Sequence, residues 1–262
     1  MSVAVVGVEG GGLTWADVEE RAAGRLRVRS LYDGVRVRAD RAASGVDRPP
    51  TVELSATKAA ERSHVVAGVV LDAGWAGYAA AEAFCERERA VLWFDDWPPP
   101  ESWSRRGLAN DLLIPGVRLH YEPSTIRLRE HIATGLGSVD DVTVQTDRPL
   151  WEAADWASWI SASPVQDGEP VEGGVRVYLR SGVEVLLSAG GKTSAAVRCE
   201  NGEARWTPDE LTVSGEPDTR AGGRPAETVL LDLFARRLAG GLVPVPSVED
   251  VRVAIAATEV VG

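Results

Sequence analysis

The chain opens with a pattern of strand, turn and helix that limits the folds available to it. Residues 3–12 are a short apolar run that breaks into glycines, Val-Ala-Val-Val-Gly-Val-Glu-Gly-Gly-Gly. A helix-like segment from Thr14 to Ala23 follows, and then an apolar strand that starts at Leu26 and ends at Asp33. This order of strand, glycine turn, helix, strand and acid is typical of a dinucleotide-binding βαβ unit.

The glycine turn keeps the frame of that motif but changes the position that faces the ligand. Gly7 holds the place of the first glycine, which forms the tight turn, and Gly12 that of the third, which lets helix and strand pack closely. The second position is Glu9, whose bulk and negative charge oppose a pyrophosphate at a helix N-terminus. A shift of register that puts Gly10 at the second position is the alternative. The sequence therefore predicts that these residues and Asp33 bind no NAD(P) or bind it weakly. The alternative for Asp33 is a role in forming the turn.

Composition narrows the class of protein. The chain has 262 residues, 44% of them hydrophobic, which is enough for one large domain or two small ones. No apolar run approaches the ~20 residues of a membrane span, and no signal sequence is evident, so we expect a cytoplasmic protein without a membrane partner. Two distant cysteines, Cys85 and Cys199, predict neither a disulfide framework nor a metal site. A net charge of −11 argues against nucleic acid.

Strands alternate with helices through residue 123, which favours a parallel, doubly wound sheet. Ligands of such sheets bind beyond the carboxyl ends of the strands. Predicted strand ends include Asp72, a candidate cofactor ligand, and Asp96, a candidate acid or base. A further predicted strand near Gly116–Tyr121 ends at His120 and Tyr121, two more candidate catalytic residues. The alternative for each is a structural role.

The pattern changes in residues 124–262. Helices are predicted over Thr125–Thr134, over the tryptophan-rich Trp151–Ile160, and over Thr228–Ala239 and Val248–Val260. Short strands, several of them separated by Ser-Gly, Gly-Gly and Asn-Gly turns, are predicted over Asp141–Gln145, Val175–Leu179, Val183–Ser188, Ser194–Cys199 and Leu211–Ser214. This predicts an α+β domain with a mostly antiparallel sheet and a domain boundary after residue 123. The tryptophans of the helix are expected in a core or a subunit interface.

Four segments are similar, in order and spacing, to those of a known family. They are residues 121–137, 175–182, 197–202 and 244–250. They resemble the crossover helix, two sheet hairpins and the C-terminal signature of the Gfo/Idh/MocA oxidoreductases. The resemblance implies a Rossmann domain followed by an α+β domain with an open, mostly antiparallel sheet.

The sequence differs from this family's pattern at the positions that carry the family's chemistry. The family's Glu-Lys-Pro turn supplies a lysine near nicotinamide and substrate, whereas here the turn is Asp95-Asp96-Trp97-Pro98. The family's His-x-x-Asp helix has its best match in Glu152-Ala-Ala-Asp155, which lacks the His and keeps Asp155 as a candidate catalytic residue. Together with Glu9, these changes indicate that hydride transfer was lost or rebuilt.

Three hypotheses follow. The first is a diverged protein of this fold with a degraded nicotinamide site, which binds a small polar metabolite as a non-redox enzyme or as an inactive partner subunit. The second is an NAD(P)-dependent dehydrogenase or reductase with a rebuilt site that uses His120 or Tyr121 as the acid. The third is a structural interaction subunit. Because relatives commonly make their subunit contact through the open sheet, we expect a homodimer, or a heteromer with a full-length relative, formed through the second half.

Overall fold

The apolar run at the start of the chain forms an inner strand of a parallel sheet in the computed structural model. The strand is buried at four of its five residues. The sheet is six-stranded, with the order β5-β4-β1-β6-β7-β8, and every pair in it is parallel. The strands of this unit are β1 (Ser2–Val6), β2 (Glu9–Gly10), β3 (Leu13–Thr14), β4 (Arg27–Tyr32), β5 (Thr51–Val52), β6 (Ala67–Val70), β7 (Ala90–Trp93) and β8 (Leu113–Pro115). Its helices are α1 (Trp15–Arg21), α2 (Arg36–Ala43), α3 (Ala56–Glu61), α4 (Trp75–Cys85) and α7 (Ala226–Leu238).

The structure describes residues 1–10, 12–71, 75–94, 112–220, 223–243 and 245–259. Two predicted site residues, Asp72 and Asp96, lie outside these ranges. Of the helices within them, none has the length and apolar composition that crossing a membrane requires.

An eight-stranded mixed sheet forms the second unit. Its order is β10-β11-β12-β9-β13-β14-β15-β16, and all neighbours are antiparallel except β9 and β12. The strands are β9 (Val139–Thr146), β10 (Val165–Val171), β11 (Gly174–Leu179), β12 (Glu184–Ala189), β13 (Ser194–Cys199), β14 (Gly202–Trp206), β15 (Leu211–Val213) and β16 (Glu216–Pro217). The helical elements are a 3₁₀ turn (Arg118–Tyr121), α5 (Pro123–His131), a π-helical turn (Ile132–Leu136), α6 (Leu150–Ser161) and α8 (Val248–Thr258).

One face of the second sheet is covered and the other is exposed. Along β9, Val142 and Val144 are buried, whereas the alternate residues Thr143 and Gln145 are exposed. This alternation is the period of two that a strand with one covered face requires. The predicted fold class, a parallel Rossmann-like sheet and a mostly antiparallel second sheet, is confirmed.

Helix α6 covers the buried face of that sheet. Trp156 at its centre is fully buried, and its ring centroid lies 4.4 Å from that of Trp206 on β14. The indole Nε1 of Trp156 donates a hydrogen bond to Oγ1 of Thr125 on α5, at 3.0 Å. The predicted core role therefore applies to this tryptophan.

The chain divides into two compact units. Residues 1–116 and 227–248 form one, and residues 117–226 and 249–262 form the other. The chain therefore passes between the units after residues 116, 226 and 248. The sequence placed a single boundary after residue 123.

The local predictions differ from the structure at several strands. The strand expected near Gly116–Tyr121 is wrong, because the sheet ends at Pro115 and the chain then forms the 3₁₀ turn. The strands that were not predicted are β2, β3, β8, β10, β14 and β16. Gly168 and Pro170 within β10 argue against a strand, but β10 lies at the edge of the sheet, where such residues are tolerated.

Candidate functional site

The glycine turn of the first unit folds as a small hairpin. Gly7 and Gly12 have φ angles of 91° and 75°, in the left-handed region that glycine adopts readily. Strand β2, between the two glycines, pairs with β3, which follows Gly12. This pairing puts Glu9 opposite Thr14 and Gly10 within the ladder. Helix α1 begins only after this hairpin, at Trp15.

The N-terminus of α1 is closed by groups of the chain itself. The backbone N–H of Asp17 donates to Oγ1 of Thr14 at 3.4 Å, and the backbone N–H of Thr14 donates to Oδ2 of Asp17 at 2.7 Å. The N–H of Trp15 donates to the carbonyl of Val8 at 2.9 Å. Hydrogen bonds from the side chain and backbone of Thr14 lower the pKa of Asp17. Three of the four N–H groups that a helix leaves free at its N-terminus are therefore bonded within the chain.

Asp33, the predicted ribose-binding acid, holds the turn together. Its Oδ2 accepts a hydrogen bond from the backbone N–H of Val8 at 3.1 Å, and its Oδ1 accepts one from the N–H of Val35 at 2.7 Å. Arg38 Nη2 lies 3.7 Å from Oδ2 of Asp33 and 3.6 Å from Oε1 of Glu9. The Asp33 side chain is 2% exposed, whereas that of Glu9 is 69% exposed.

The second unit brings two predicted catalytic residues together. His120 lies in the 3₁₀ turn rather than at the predicted strand end, and Asp155 lies in the middle of α6. Their side chains are 2% and 4% exposed, and Nε2 of His120 is 2.8 Å from Oδ2 of Asp155. The contact has the distance of an ion pair but not the angle of a hydrogen bond. Among the described residues, neither ring nitrogen of His120 nor Oδ2 of Asp155 has a hydrogen-bond partner.

Tyr121 adds a third unpaired polar group to this cluster. Its hydroxyl is buried and has no hydrogen-bond partner among the described residues. Burial and then the charge of Asp155 raise the pKa of Tyr121, while Arg129 acts in the opposite direction. The Tyr121 and His120 rings are 6.0 Å apart, so the hydroxyl, the imidazole and the carboxylate belong to one buried group.

Trp159 and Arg129 form a stack with His120. The Trp159 and His120 rings are nearly parallel, at 5°, with centroids 4.7 Å apart. The Arg129 guanidinium carbon lies 4.3 Å from the centroid of the same indole. Trp159 follows Asp155 by four residues in α6, and this spacing places both on one face of the helix.

Glu152 lies one turn before Asp155 in α6. Its side chain is 20% exposed, and its Oε2 accepts a hydrogen bond from Nη1 of Arg148 at 3.2 Å. Burial raises the pKa of Glu152, Arg148 and Arg118 lower it, and Asp155 raises it further. No three His, Cys, Asp or Glu side chains within the described ranges come together as a metal site would need.

Solved structures of several dehydrogenases are similar to this chain. An oxidoreductase from Thermotoga maritima has a TM-score of 0.76 at 12% identity, with 99% of this chain and 95% of that chain covered. A UDP-N-acetylglucosamine 3-dehydrogenase from Acidithiobacillus ferrooxidans has a TM-score of 0.76 at 17% identity, covering 99% and 96%. A myo-inositol dehydrogenase from Lactobacillus casei, solved with NAD(H) and myo-inositol, has a TM-score of 0.72 at 15% identity, covering 99% and 93%.

The chain has the two-domain fold of the Gfo/Idh/MocA oxidoreductases. No protein-family model and no curated protein sequence matches it. The likeness therefore concerns the fold, and the predicted resemblance is confirmed at that level.

Against the Gfo/Idh/MocA pattern, the imidazole of the second unit comes from a different element. Glu152 stands where the resemblance places a histidine, and the ring that contacts Asp155 belongs to His120, from the turn before α5. Sequence reasoning named His120, Tyr121 and Asp155 separately but did not predict their contact. It did not name Glu152, Trp159 or Arg129 as site residues, although the spacing of Asp155 and Trp159 would have placed the indole beside the carboxylate.

Proposed function

We propose that the protein is a non-redox enzyme that carries out acid–base chemistry on a small polar metabolite and does not hold NAD(P) tightly. The observation that carries this proposal is the closed N-terminus of α1. A dinucleotide pyrophosphate is bound by free N–H groups at such a helix end. Here Thr14, Asp17 and Val8 already occupy three of those donors.

Charge around the glycine turn supports the same conclusion. Asp17 brings a carboxylate to the end of the helix where phosphate would lie, and Glu9 adds a second on the hairpin. One unit charge facing another at ~4 Å costs about 4 kcal/mol at an effective dielectric near 20. Arg38 offsets part of the Glu9 charge, since the two lie 3.6 Å apart. Both oxygens of Asp33 accept backbone hydrogen bonds, so a ribose hydroxyl would compete with those donors.

The cluster in the second unit supports a polar ligand. Nδ1 of His120 and the Tyr121 hydroxyl are buried and lack hydrogen-bond partners among the described residues, whereas Nε2 of His120 and Oδ2 of Asp155 face each other at 2.8 Å. Each of the two unpartnered atoms costs about 1–3 kcal/mol while it stays unpaired. A ligand whose hydroxyl or carbonyl groups bond to these atoms removes that cost, and an apolar ligand does not.

The same cluster can move a proton. An imidazole is the side chain best matched to proton transfer near neutral pH, and the carboxylate of Asp155 lies 2.8 Å from its Nε2. In the proposed reaction, His120 accepts a proton from the metabolite or returns one to it. Asp155 balances the charge on the ring, and Tyr121 donates a hydrogen bond to an oxygen of the metabolite.

Titration of the protein with NAD(H) and NADP(H) by calorimetry tests the nucleotide half of the proposal. We expect weak or undetectable binding to the wild type and an affinity about tenfold or more higher for Glu9→Gly, equivalent to about 1.4 kcal/mol or more. Glu9→Gln is the matched control, because it removes the charge and keeps the bulk. Micromolar binding by the wild type, with turnover of any sugar or polyol, would contradict the proposal.

Proton exchange tests the catalytic half. The wild type is incubated in D₂O with a panel of aldoses, ketoses and keto sugar acids, and NMR follows deuterium entering carbon positions. We expect exchange or elimination with at least one compound, and its loss in His120→Gln. Absence of exchange with the whole panel, together with reduction of NAD(P) by one of the compounds, would reverse the conclusion.

The second candidate function is an NAD(P)-dependent dehydrogenase with a rebuilt site. The observation that favours it is the same His120–Asp155 pair, because alcohol oxidation also needs a base near the hydroxyl. In that case the wild type binds the dinucleotide, and His120→Gln lowers the rate of its reduction while leaving its affinity unchanged.

A further inference from the structure

We infer that Trp159 and Arg129 are positioning residues for His120, the indole fixing the plane of the imidazole beside Asp155 and the guanidinium fixing the indole. This inference rests on the proposed acid–base role of His120. It adds two residues that no motif assigns, both of which act through the imidazole.

The first step concerns the orientation of the ring. The two torsions of a histidine side chain leave its plane free to turn unless something packs on it. Asp155 contacts the ring at one edge, with its Oδ2 2.8 Å from Nε2, and no described residue forms a hydrogen bond with either ring nitrogen of His120. A contact at one edge leaves the plane free to turn, so the nearly parallel Trp159 ring, with its centroid 4.7 Å away, is the contact that sets this plane.

The second step concerns the position of the indole. Trp159 is half-buried on α6, whereas Arg129 comes from α5. The guanidinium carbon lies 4.3 Å from the indole centroid, within the range of a cation–π contact. A planar guanidinium stacks on an aromatic face in a way that an ammonium does not. Arg129 thus joins the two helices across the face of the ring.

The third step concerns the groups around the stack. Among the described residues, the charged and titratable groups of the cluster are Asp155 and Glu152 on α6, Tyr121 and Arg118 on the 3₁₀ turn, and Arg129 on α5. The influence of Arg129 on Tyr121 places this arginine within electrostatic reach of the cluster. By the first two steps, removing the indole should free the imidazole plane directly, and removing the guanidinium should free it through the indole.

NMR of the imidazoles in the free protein tests this. The chain has three histidines, so His64→Gln and His131→Gln assign the remaining signals. We expect the His120 ring protons of the wild type to lie upfield because of the indole ring current. Trp159→Leu should abolish that displacement. Arg129→Met should reduce it, because the indole then loses the guanidinium contact that fixes its face.

Two conservative variants separate positioning from general loss of structure. Trp159→Phe keeps an aromatic face, and Arg129→Lys keeps the charge, so both should keep more of the upfield displacement than Trp159→Leu and Arg129→Met do. If Trp159→Leu does not fold, the three other variants still decide. Unchanged His120 signals in Arg129→Met, or an equal loss of the displacement in all four variants, would overturn the inference. Because no substrate is added, this result is independent of the exchange assay: the expected displacements with no exchange activity would keep the positioning roles and reject the proposed function.

Discussion

At the scale of single residues, His120 and Asp155 depend on each other. Both are buried, and removing one partner of a buried pair leaves the other without compensation, which costs about 3–5 kcal/mol. We expect Asp155→Ala and His120→Ala each to lower the free energy of unfolding by several kcal/mol, as urea denaturation would measure. The double variant should lose less than the sum of the two, with a coupling energy of about 1 kcal/mol or more. Strict additivity would mean that the 2.8 Å contact contributes nothing.

Asp218 makes the stability of the second unit depend on pH in the acid range. It accepts hydrogen bonds from Nε of Arg127 at 3.1 Å and from the backbone N–H of Arg220 at 2.8 Å, and it lies 2.7 Å from Nε2 of His131. The His131 contact, with these other bonds, lowers the pKa of Asp218 from 3.8 to about 2.

Because the pKa is lowered on folding, this group stabilises the protein above pH 3.8, and the contribution is lost as the pH falls towards about 2. We expect the urea midpoint of the wild type to fall over that window, and Asp218→Asn to weaken the dependence. Asp209→Asn, at an exposed carboxylate, should leave the pH dependence as in the wild type. The same pH dependence in Asp218→Asn as in the wild type would assign the acid sensitivity to other groups.

Sequence reasoning went furthest with single residues that carry chemistry. It named His120, Tyr121 and Asp155, the last from the family resemblance. It did not predict their contact, because His120 and Asp155 are far apart in the sequence and meet only when the 3₁₀ turn packs against α6. Asp33 was predicted both as a ribose ligand and as a turn former, and its two backbone hydrogen bonds support the second role.

At the scale of elements, the capping box of α1 stabilises the first unit and occupies N–H groups that would otherwise be free to face an anion. Thr14→Ala removes the cap hydrogen bond from the N–H of Asp17 and the one that the Thr14 hydroxyl donates to Oδ2 of Asp17 at 2.7 Å. It should lower the free energy of unfolding by about 1 kcal/mol in chemical denaturation. Ser55→Ala is the control, because Ser55 caps α3 by accepting from the N–H of Lys58 at 3.1 Å. We expect comparable losses of stability, with a gain in dinucleotide affinity for Thr14→Ala alone. Equal affinities for both variants would remove the link between this cap and the nucleotide site.

Elements with a clear local pattern were predictable, and those defined by their neighbours were not. Strand β13 was predicted with its observed bounds, Ser194–Cys199, because its apolar residues alternate between two turns. The hairpin of β2 and β3 was not predicted, because three consecutive glycines give no hydrophobic pattern to read. The strand expected near Gly116–Tyr121 did not form, because Pro115 and Gly116 end the sheet within an otherwise apolar stretch.

At the scale of the whole molecule, we propose that the exposed face of the second sheet forms a subunit contact. Leu186 on β12 is 40% exposed on this face, opposite Arg176 of the neighbouring strand β11, which forms an ion pair with Glu184 of β12. We expect a dimer by light scattering at micromolar concentration, and a shift towards monomer in Leu186→Glu. Ile126→Glu is the control, because Ile126 is 38% exposed but lies on α5. A wild type that is monodisperse as a monomer would refute this expectation.

The discontinuity of the two units was beyond the reach of sequence patterns. Helix α7 belongs with the first unit through Arg21, which pairs with Glu227 at 3.4 Å, and through the ion pair of Arg25 with Asp232. These contacts join residues 206 and 207 positions apart. Local periodicity indicates that α7 is a helix, but it carries no information on which sheet that helix joins.

The chain passes between the two units three times, and this determines when each unit can complete its fold during synthesis on the ribosome. The first unit lacks α7 until residue 238 has emerged and its last segment until residue 248, and the second unit lacks α8 until after that point. A nascent chain that ends at residue 226 therefore presents two unfinished units rather than one folded and one unfolded. Chaperones that recognise exposed apolar surface would meet both at once, and ribosomal pausing between residues 226 and 248 would prolong that exposure.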